Sequence, residues 1–208
     1  MKNLKKIAAV ALTAAMVLSM TGCAGGKLSS SKLKTNIKDY GAEECKEADD
    51  LVDLIEDRDL EDGAYFTGDS DGIKDILKSD NNWGLDDFYD KSIKNGTVFA
   101  LLNEDDAMAA FVFSFTFSSK KDAEAYYEDV VGDIDDDEDF EVDDGEEGGV
   151  VYTIAELEDY YYNACAGVYQ SGNTVMIIFG VTGDDLDDVY DVVDEIVDGY
   201  DIVLPSEV

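Results

Sequence analysis

The densest group of side chains capable of chemistry is a run of carboxylates, 11 in the 15 residues from 133 to 147. Hard cations such as Ca²⁺ bind six to eight oxygen ligands, which crowded carboxylates can supply. Asp135, Asp137 and Asp139 alternate along this run and are the candidate ligands of a weak Ca²⁺ site. Their spacing departs from that of an EF-hand, because Phe140 stands where the sharp turn requires glycine.

The same segment also fits a purely structural role. Phe140 and Val142 alternate with acidic residues, which is typical of a strand with one solvated face. Like charges on a strand at the edge of a sheet oppose edge-to-edge aggregation. We therefore favour a charged loop that enters an edge strand, and the Ca²⁺ site is the alternative.

A second candidate surface is aromatic. Trp83 lies in a predicted loop beside Asn81 and Asn82 and close to Asp86. Aromatic rings next to amides and carboxylates suit glycan binding, so Trp83 is a candidate ligand-binding residue; the alternative is a ring that holds the loop to the core. Tyrosines are also frequent in the predicted neighbouring strands, where a ring can be buried while its hydroxyl reaches water. They are Tyr152, Tyr160, Tyr161, Tyr162 and Tyr169.

The composition argues against several functional classes. The chain has 15 basic residues, 50 acidic residues and no histidine, which gives a formal net charge of −35. Phosphate contacts need clustered Lys and Arg, so nucleic acid is not an expected partner. Without histidine, Ser-His-Asp and Cys-His systems and nearly all catalytic zinc sites are ruled out. Glycoside hydrolysis needs only two placed carboxyl groups, so a carboxylate-dependent hydrolase is the enzyme that the composition still allows.

The first 23 residues have the features of an export signal. Three lysines precede an apolar run over residues 7–20 that is too short for a permanent transmembrane helix. The run ends in Met20-Thr21-Gly22-Cys23, which resembles the lipobox of bacterial lipoprotein signal peptides. The resemblance implies that residues 1–22 are removed and that Cys23 is lipidated. Two acyl chains anchor a protein stably, so we expect the chain at the cell membrane, on its extracytoplasmic face.

The cysteine count fits this interpretation. Three cysteines in an exported chain leave one unpaired, and lipidation of Cys23 leaves Cys45 and Cys165. These two could form a disulfide in an oxidising compartment. They could equally be two small buried apolar side chains. The sequence leaves both alternatives open.

The mature chain divides into a link and a domain. Residues 23–40 are rich in Lys, Ser and Gly and predict a flexible tether, and residues 41–208 predict one acidic domain. The predicted tether carries Lys27, Lys32, Lys34 and Lys38. Lysines are attracted to anionic lipid while an acidic body is repelled, so we expect a domain that is held away from the membrane.

The hydrophobic pattern predicts an α+β fold, with a mainly antiparallel sheet of about six strands flanked by amphipathic helices and preceded by a helical segment. Phenylalanine at every second position over 111–117 makes one strand especially clear. The predicted helices are 43–58, 70–79, 84–93, 120–133 and 184–198. The predicted strands are 98–102, 107–117, 139–143, 149–157, 160–169 and 173–181.

These features predict a lipid-anchored extracytoplasmic module that binds a ligand or partner. An acidic surface steers association by sign, so a cationic or cation-bridged protein is an expected partner, with a glycan as the other. The alternative function is the secreted carboxylate-dependent hydrolase, acting on envelope or external glycan.

Overall fold

One mixed sheet of eight strands forms the centre of the structure. The structure is a computed structural model that describes residues 27–58, 60–79, 85–103, 107–135, 140–159, 161–183 and 185–208. The spatial order of the strands is β1-β2-β3-β4-β8-β7-β6-β5. The strands β1 and β2 are parallel, and the other neighbours are antiparallel. The strands are β1 (Glu43–Glu44), β2 (Leu60–Asp69), β3 (Ile93–Asn103), β4 (Met108–Phe117), β5 (Glu141–Glu147), β6 (Val150–Glu158), β7 (Asn163–Ser171) and β8 (Thr174–Thr182).

Five α-helices cover the two faces of this sheet. The helices α2, α3 and α4 pack on one face, and α1 and α5 pack on the other. The predicted α+β class is therefore confirmed, with more strands than predicted. The helices are α1 (Ser30–Tyr40), α2 (Ala48–Asp57), α3 (Ser70–Leu77), α4 (Lys120–Asp135) and α5 (Asp187–Val197), with short 3₁₀ helices at Leu85–Phe88 and Pro205–Glu207.

The phenylalanines of β4 form the centre of one core. Phe111, Phe113, Phe115 and Phe117 are all buried on the same side of the sheet, which we name the phenylalanine face. The ring centroids of Phe111 and Phe113 are 6.1 Å apart, and those of Phe113 and Phe115 are 5.7 Å apart. Tyr126 of α4 packs on this row, with its centroid 5.0 Å from that of Phe117. The predicted alternation along 111–117 is confirmed.

The opposite side of the sheet, which we name the second face, holds a separate core. Its residues alternate with the phenylalanines, for example Val112 in β4. The helices α1 and α5 are joined here by Asn36, whose side-chain amide donates to the carbonyl of Ile196 at 2.9 Å and to that of Asp198 at 3.0 Å. A sheet buried on both faces explains how such an acidic chain retains a large apolar interior.

The N-terminal half of the domain departs from the sequence prediction. The strand β2 was not predicted, and the predicted helix 84–93 is a 3₁₀ turn at Leu85–Phe88 followed by β3, which starts at Ile93. Ala64, Tyr65 and Phe66 of β2 are all buried, so the strand lacks the alternation of a half-exposed strand. An apolar run buried on both sides cannot be distinguished from a buried helix by periodicity.

The predicted flexible tether over 23–40 is wrong for its second half, because residues 30–40 form α1. The Ser29 side chain accepts a hydrogen bond from the Lys32 N–H and caps the helix, and Gly41 ends it in a left-handed conformation. Leu33 and Ile37, one turn apart, are fully buried in the second face. Polar residues on the exposed side of α1 gave this helix the composition of a linker.

The two ends of the sheet carry different residues. At one end β2, β4, β5 and β7 finish, and exposed Lys91, Lys94 and Lys121 lie beside these strand ends. The ammonium of Lys27 lies at the same end, next to Gly148 in the turn between β5 and β6. We name this the lysine end. The opposite end, where the β6–β7 turn lies, is named the tyrosine end.

The packing of α1 gives a direct test of the corrected boundary. We expect Leu33→Ala to lower the free energy of unfolding by about 2–5 kcal/mol, because it leaves a cavity against the second face. The exposed substitution Thr35→Ala on the same helix should change it by about 0.5 kcal/mol or less. Urea unfolding of residues 27–208 measures both. Equal, negligible effects would mean that residues 30–40 are a tether after all.

Candidate functional site

The turn between β6 and β7 exposes aromatic rings. Tyr161 is 80% exposed and Tyr162 is 46% exposed. The sequence placed both residues inside a strand over 160–169, but β7 begins at Asn163 and the tyrosines belong to the turn. The only other exposed large hydrophobic residues in the described ranges are Val142 and Val208. We name residues 158–163, of which Tyr160 lies outside the described residues, the tyrosine hairpin.

Asp159 holds the described part of this hairpin in place. Its N–H donates to the carbonyl of Tyr162 at 3.1 Å, and its carboxylate accepts from the N–H of Tyr161 at 3.0 Å. The ladder between β6 and β7 closes directly behind, where Glu158 pairs with Asn163. One backbone and one side-chain hydrogen bond of Asp159 therefore fix the turn from which the tyrosines project.

The surroundings of the tyrosine hairpin are acidic. Glu158 and Asp159 are exposed within it, and exposed Asp185 follows β8, whose last residue Thr182 pairs with Asn163. The sequence from residue 122 to the C-terminus contains no Lys or Arg. Exposed tyrosine rings and uncompensated carboxylates both attract cations, the rings through their negative π faces.

A cleft of about 410 Å³ opens at the β1 edge of the sheet. Glu43, Glu44, Asp50, Asp53 and Asp57 are among its lining residues. The side chain of Lys34 hydrogen-bonds Glu44 and lowers the pKa of that carboxyl to about 2, with a further contribution from Lys38. Of the lining carboxylates, Glu44 is thus paired with Lys34 and Lys38 of α1, and this ion pairing ties α1 to β1.

A second cleft, of about 340 Å³, lies at the tyrosine end between β3, β4 and β8. It combines apolar side chains such as Leu102 with Arg58, the only arginine in the chain. Arg58 has φ 56°, and Ala107, which also lines the cleft, has φ 49°. These are the only non-glycine residues with positive φ in the described part of the chain, and such conformations are uncommon.

The predicted metal and glycan residues fall on parts of the chain about which the structure says nothing. Asp137, Asp139 and Trp83 lie outside the described residues, and Asp135 ends α4 with its side chain also outside them. The Ca²⁺ site and the role of Trp83 therefore stay predictions. The edge strand predicted for the acidic segment is confirmed, although β5 spans Glu141–Glu147 and not 139–143. The predicted single solvated face is wrong, because Val142 is exposed as well.

Within the described ranges, no group of three or more Cys, Asp or Glu side chains is arranged to hold a metal ion. In the same ranges, no helix combines the length and the apolar character needed to cross a bilayer.

The disulfide alternative for Cys45 and Cys165 does not fit the fold. Both are free, buried thiols, Cys45 in the core of the phenylalanine face and Cys165 in that of the second face. Cys45 directly follows β1, and Cys165 lies in β7, five strand positions away. That separation is about 24 Å at the usual strand spacing. A disulfide requires Cα atoms within about 7 Å, so the correct alternative is two buried apolar side chains.

No protein-family model and no curated protein matches the chain. Among solved structures, the extracellular domain of PknH from Mycobacterium tuberculosis is similar, with a TM-score of 0.38 and 10% sequence identity, over 64% of this chain and 76% of that one.

Asp194 on α5 is a carboxylate whose ionisation opposes the fold. Burial raises its pKa above the ordinary value, and Glu207 and Asp191 raise it further, while a hydrogen bond from Ser206 at 2.9 Å opposes the shift. Its second oxygen is buried without a hydrogen-bond partner in the described part of the chain. In the unfolded chain the same carboxyl ionises near its ordinary pKa, so the folded state prefers the protonated form.

We therefore expect Asp194→Asn to stabilise the domain at neutral pH. The contribution of Asp194 to stability is present below its ordinary pKa, near 4, and is lost as pH rises through its raised folded-state pKa. Asn at this position should raise the melting temperature at pH 7 and flatten the loss above about pH 4. Thermal melts across this pH range, with exposed Glu195→Gln as control, measure the effect. An unchanged pH dependence, or destabilisation at pH 7, would contradict it.

Proposed function

We propose that this chain is a lipoprotein, anchored through Cys23 on the extracytoplasmic face of the membrane, and that it binds a cationic protein. The anchor is supported by the lipobox-like sequence that ends at Cys23. The binding surface is the tyrosine hairpin, and the observation that carries it is the 80% exposure of Tyr161. Among the described residues, every aromatic ring other than those of Tyr161 and Tyr162 is buried or partly buried. Tyrosine is enriched where proteins meet partners.

The chemistry of the hairpin favours Lys- and Arg-rich partners. A cation placed over a tyrosine ring gains about 0.5–1 kcal/mol at an exposed site. Glu158, Asp159 and Asp185 add attraction of the same sign, and residues 122–208 contain no Lys or Arg that would compete. The acidic surface also raises the rate of encounter with a basic partner, and added salt lowers it.

A lysine-rich peptide, compared with one carrying Gln at every Lys position, tests this binding. We expect residues 27–208 to bind the first peptide and not the second, and added salt to weaken the binding. The double substitution Tyr161→Ser, Tyr162→Ser should weaken it about 5- to 30-fold, which corresponds to two rings at about 0.5–1 kcal/mol each.

The matched control is Val142→Ser, which removes an exposed apolar side chain from the edge strand β5 without touching the hairpin. Equal weakening by the control would contradict a specific role of the tyrosines. Binding to a panel of glycans in place of the peptide would make the partner a glycan.

The anchor has its own test. Mass spectrometry of the chain purified from bacterial membranes should show residues 1–22 removed and a diacylglyceryl group on Cys23. An unmodified Cys23 in the membrane fraction would contradict the lipoprotein assignment.

A further inference from the structure

We propose that the lysine end of the sheet rests on the bilayer, which points the tyrosine hairpin straight away from the membrane. The inference depends on the proposed anchor at Cys23 and deepens it, because it says which surface of the domain meets anionic lipid headgroups. It also replaces the expectation of a domain held away from the membrane by a long tether.

The link between Cys23 and the folded domain is short. Leu28 is 3% exposed in the core of the second face, so the folded domain already includes residue 28. Lys27 is held as well, because its ammonium lies 3.6 Å from the carboxylate of Asp201 and against Gly148. Four residue steps separate Cys23 from Lys27, and even a fully extended chain covers only about 13–14 Å in four steps.

Lys27 lies at the lysine end of the sheet. Gly148 lies in the turn between β5 and β6, at the end of the sheet where β4 and β7 also finish. A lipid on Cys23 therefore reaches the domain at the lysine end and not along a face or at the opposite end. The nine residues of β7 make eight steps of about 3.3 Å, so the tyrosine hairpin stands about 26 Å from the lysine end.

Basic residues are distributed unequally between the two ends of the sheet. Exposed Lys91 and Lys94 flank the start of β3, and exposed Lys121 lies at the start of α4. These starts are at the same end of the sheet, because Ile93 pairs with Phe117, the last residue of β4. They alternate with acidic residues such as Asp90 and Asp122, so this end is mixed in sign. The described part of the tyrosine end has Arg58 as its basic residue among many carboxylates. An anionic bilayer attracts the lysine end relative to the tyrosine end.

Fluorescent labels at the two ends of the full, lipidated chain test this orientation. One label is placed at exposed Ser118, in the loop after β4, by Ser118→Cys, and the other by Tyr161→Cys. The native thiols are buried, and burial raises the pKa of Cys45 to about 11 and that of Cys165 to about 12. Both stay protonated near neutral pH, so the introduced cysteine is labelled selectively.

The chain is inserted into vesicles that carry a nitroxide-labelled lipid headgroup as quencher. One set is phosphatidylcholine, and the other is an equal mixture of phosphatidylcholine and phosphatidylglycerol. We expect the Ser118 label to be quenched several-fold more than the Tyr161 label in both sets. Equal quenching at the two positions, or stronger quenching at Tyr161, would overturn the proposed orientation.

The role of the lysines is tested by Lys91→Glu with Lys94→Glu. In anionic vesicles this pair should reduce quenching of the Ser118 label, and in neutral vesicles it should change little. The matched control is Arg58→Glu with Tyr161→Glu and Tyr162→Glu, which changes the net charge by the same amount at the tyrosine end. An equal effect of the two sets of substitutions would overturn the contribution of the lysine end.

The lipid anchor and the orientation of the domain are overturned by different outcomes. Flotation with the vesicles and the mass of Cys23 are measured on the same preparations. A chain that carries no lipid and does not float overturns the anchor. A lipidated chain that floats with both labels equally quenched overturns the orientation alone.

Discussion

The pairing of β4 with β8 is the contact on which the rest of the structure depends. These strands are far apart in sequence and neighbours at the centre of the sheet, where Phe113 pairs with Ile177. Through this pairing, the N-terminal strands β1 to β4 and the C-terminal meander β5 to β8 become one sheet. Because β4 is buried on both faces, its phenylalanines support α4 on one side while Val112 contributes to the core under α1 and α5 on the other.

This arrangement also explains how a chain of net charge −35 folds. The carboxylates occupy the exposed sides of helices, the turns and the edge strand β5, where water screens them. The described lysines are concentrated on α1, on α3 and at the lysine end. Where the two signs meet, as at Glu44 with Lys34 and Lys38, they join α1 to the edge of the sheet. Asp194 is the exception, a carboxylate whose burial works against the fold.

The topology of the sheet sets the positions of both the tyrosine hairpin and the link to the membrane. Both the turn that bears Tyr161 and the end where Lys27 lies are fixed by the directions of β5, β6 and β7. Because a rigid sheet lies between them, a short link at one end fixes the height and the direction of the exposed rings above the membrane. The proposed partner surface and the proposed membrane surface are thus two ends of one element.

The sequence by itself determined the elements whose patterns are local. The alternation of 111–117, the apolar stripes of α4 and α5, the meander of β6, β7 and β8 and the acidic strand β5 follow from spacing within a few residues. Only the tertiary structure decided that β2 is a strand, that residues 30–40 are a packed helix, that Cys45 and Cys165 lie on opposite faces and that Tyr161 stands in a turn. These depend on which residues become neighbours across the sheet. Local spacing does not separate these features from other interpretations of the same residues. Contacts with residues far along the chain select a strand buried on both sides, a short helix with two apolar contacts and a turn shifted by three residues.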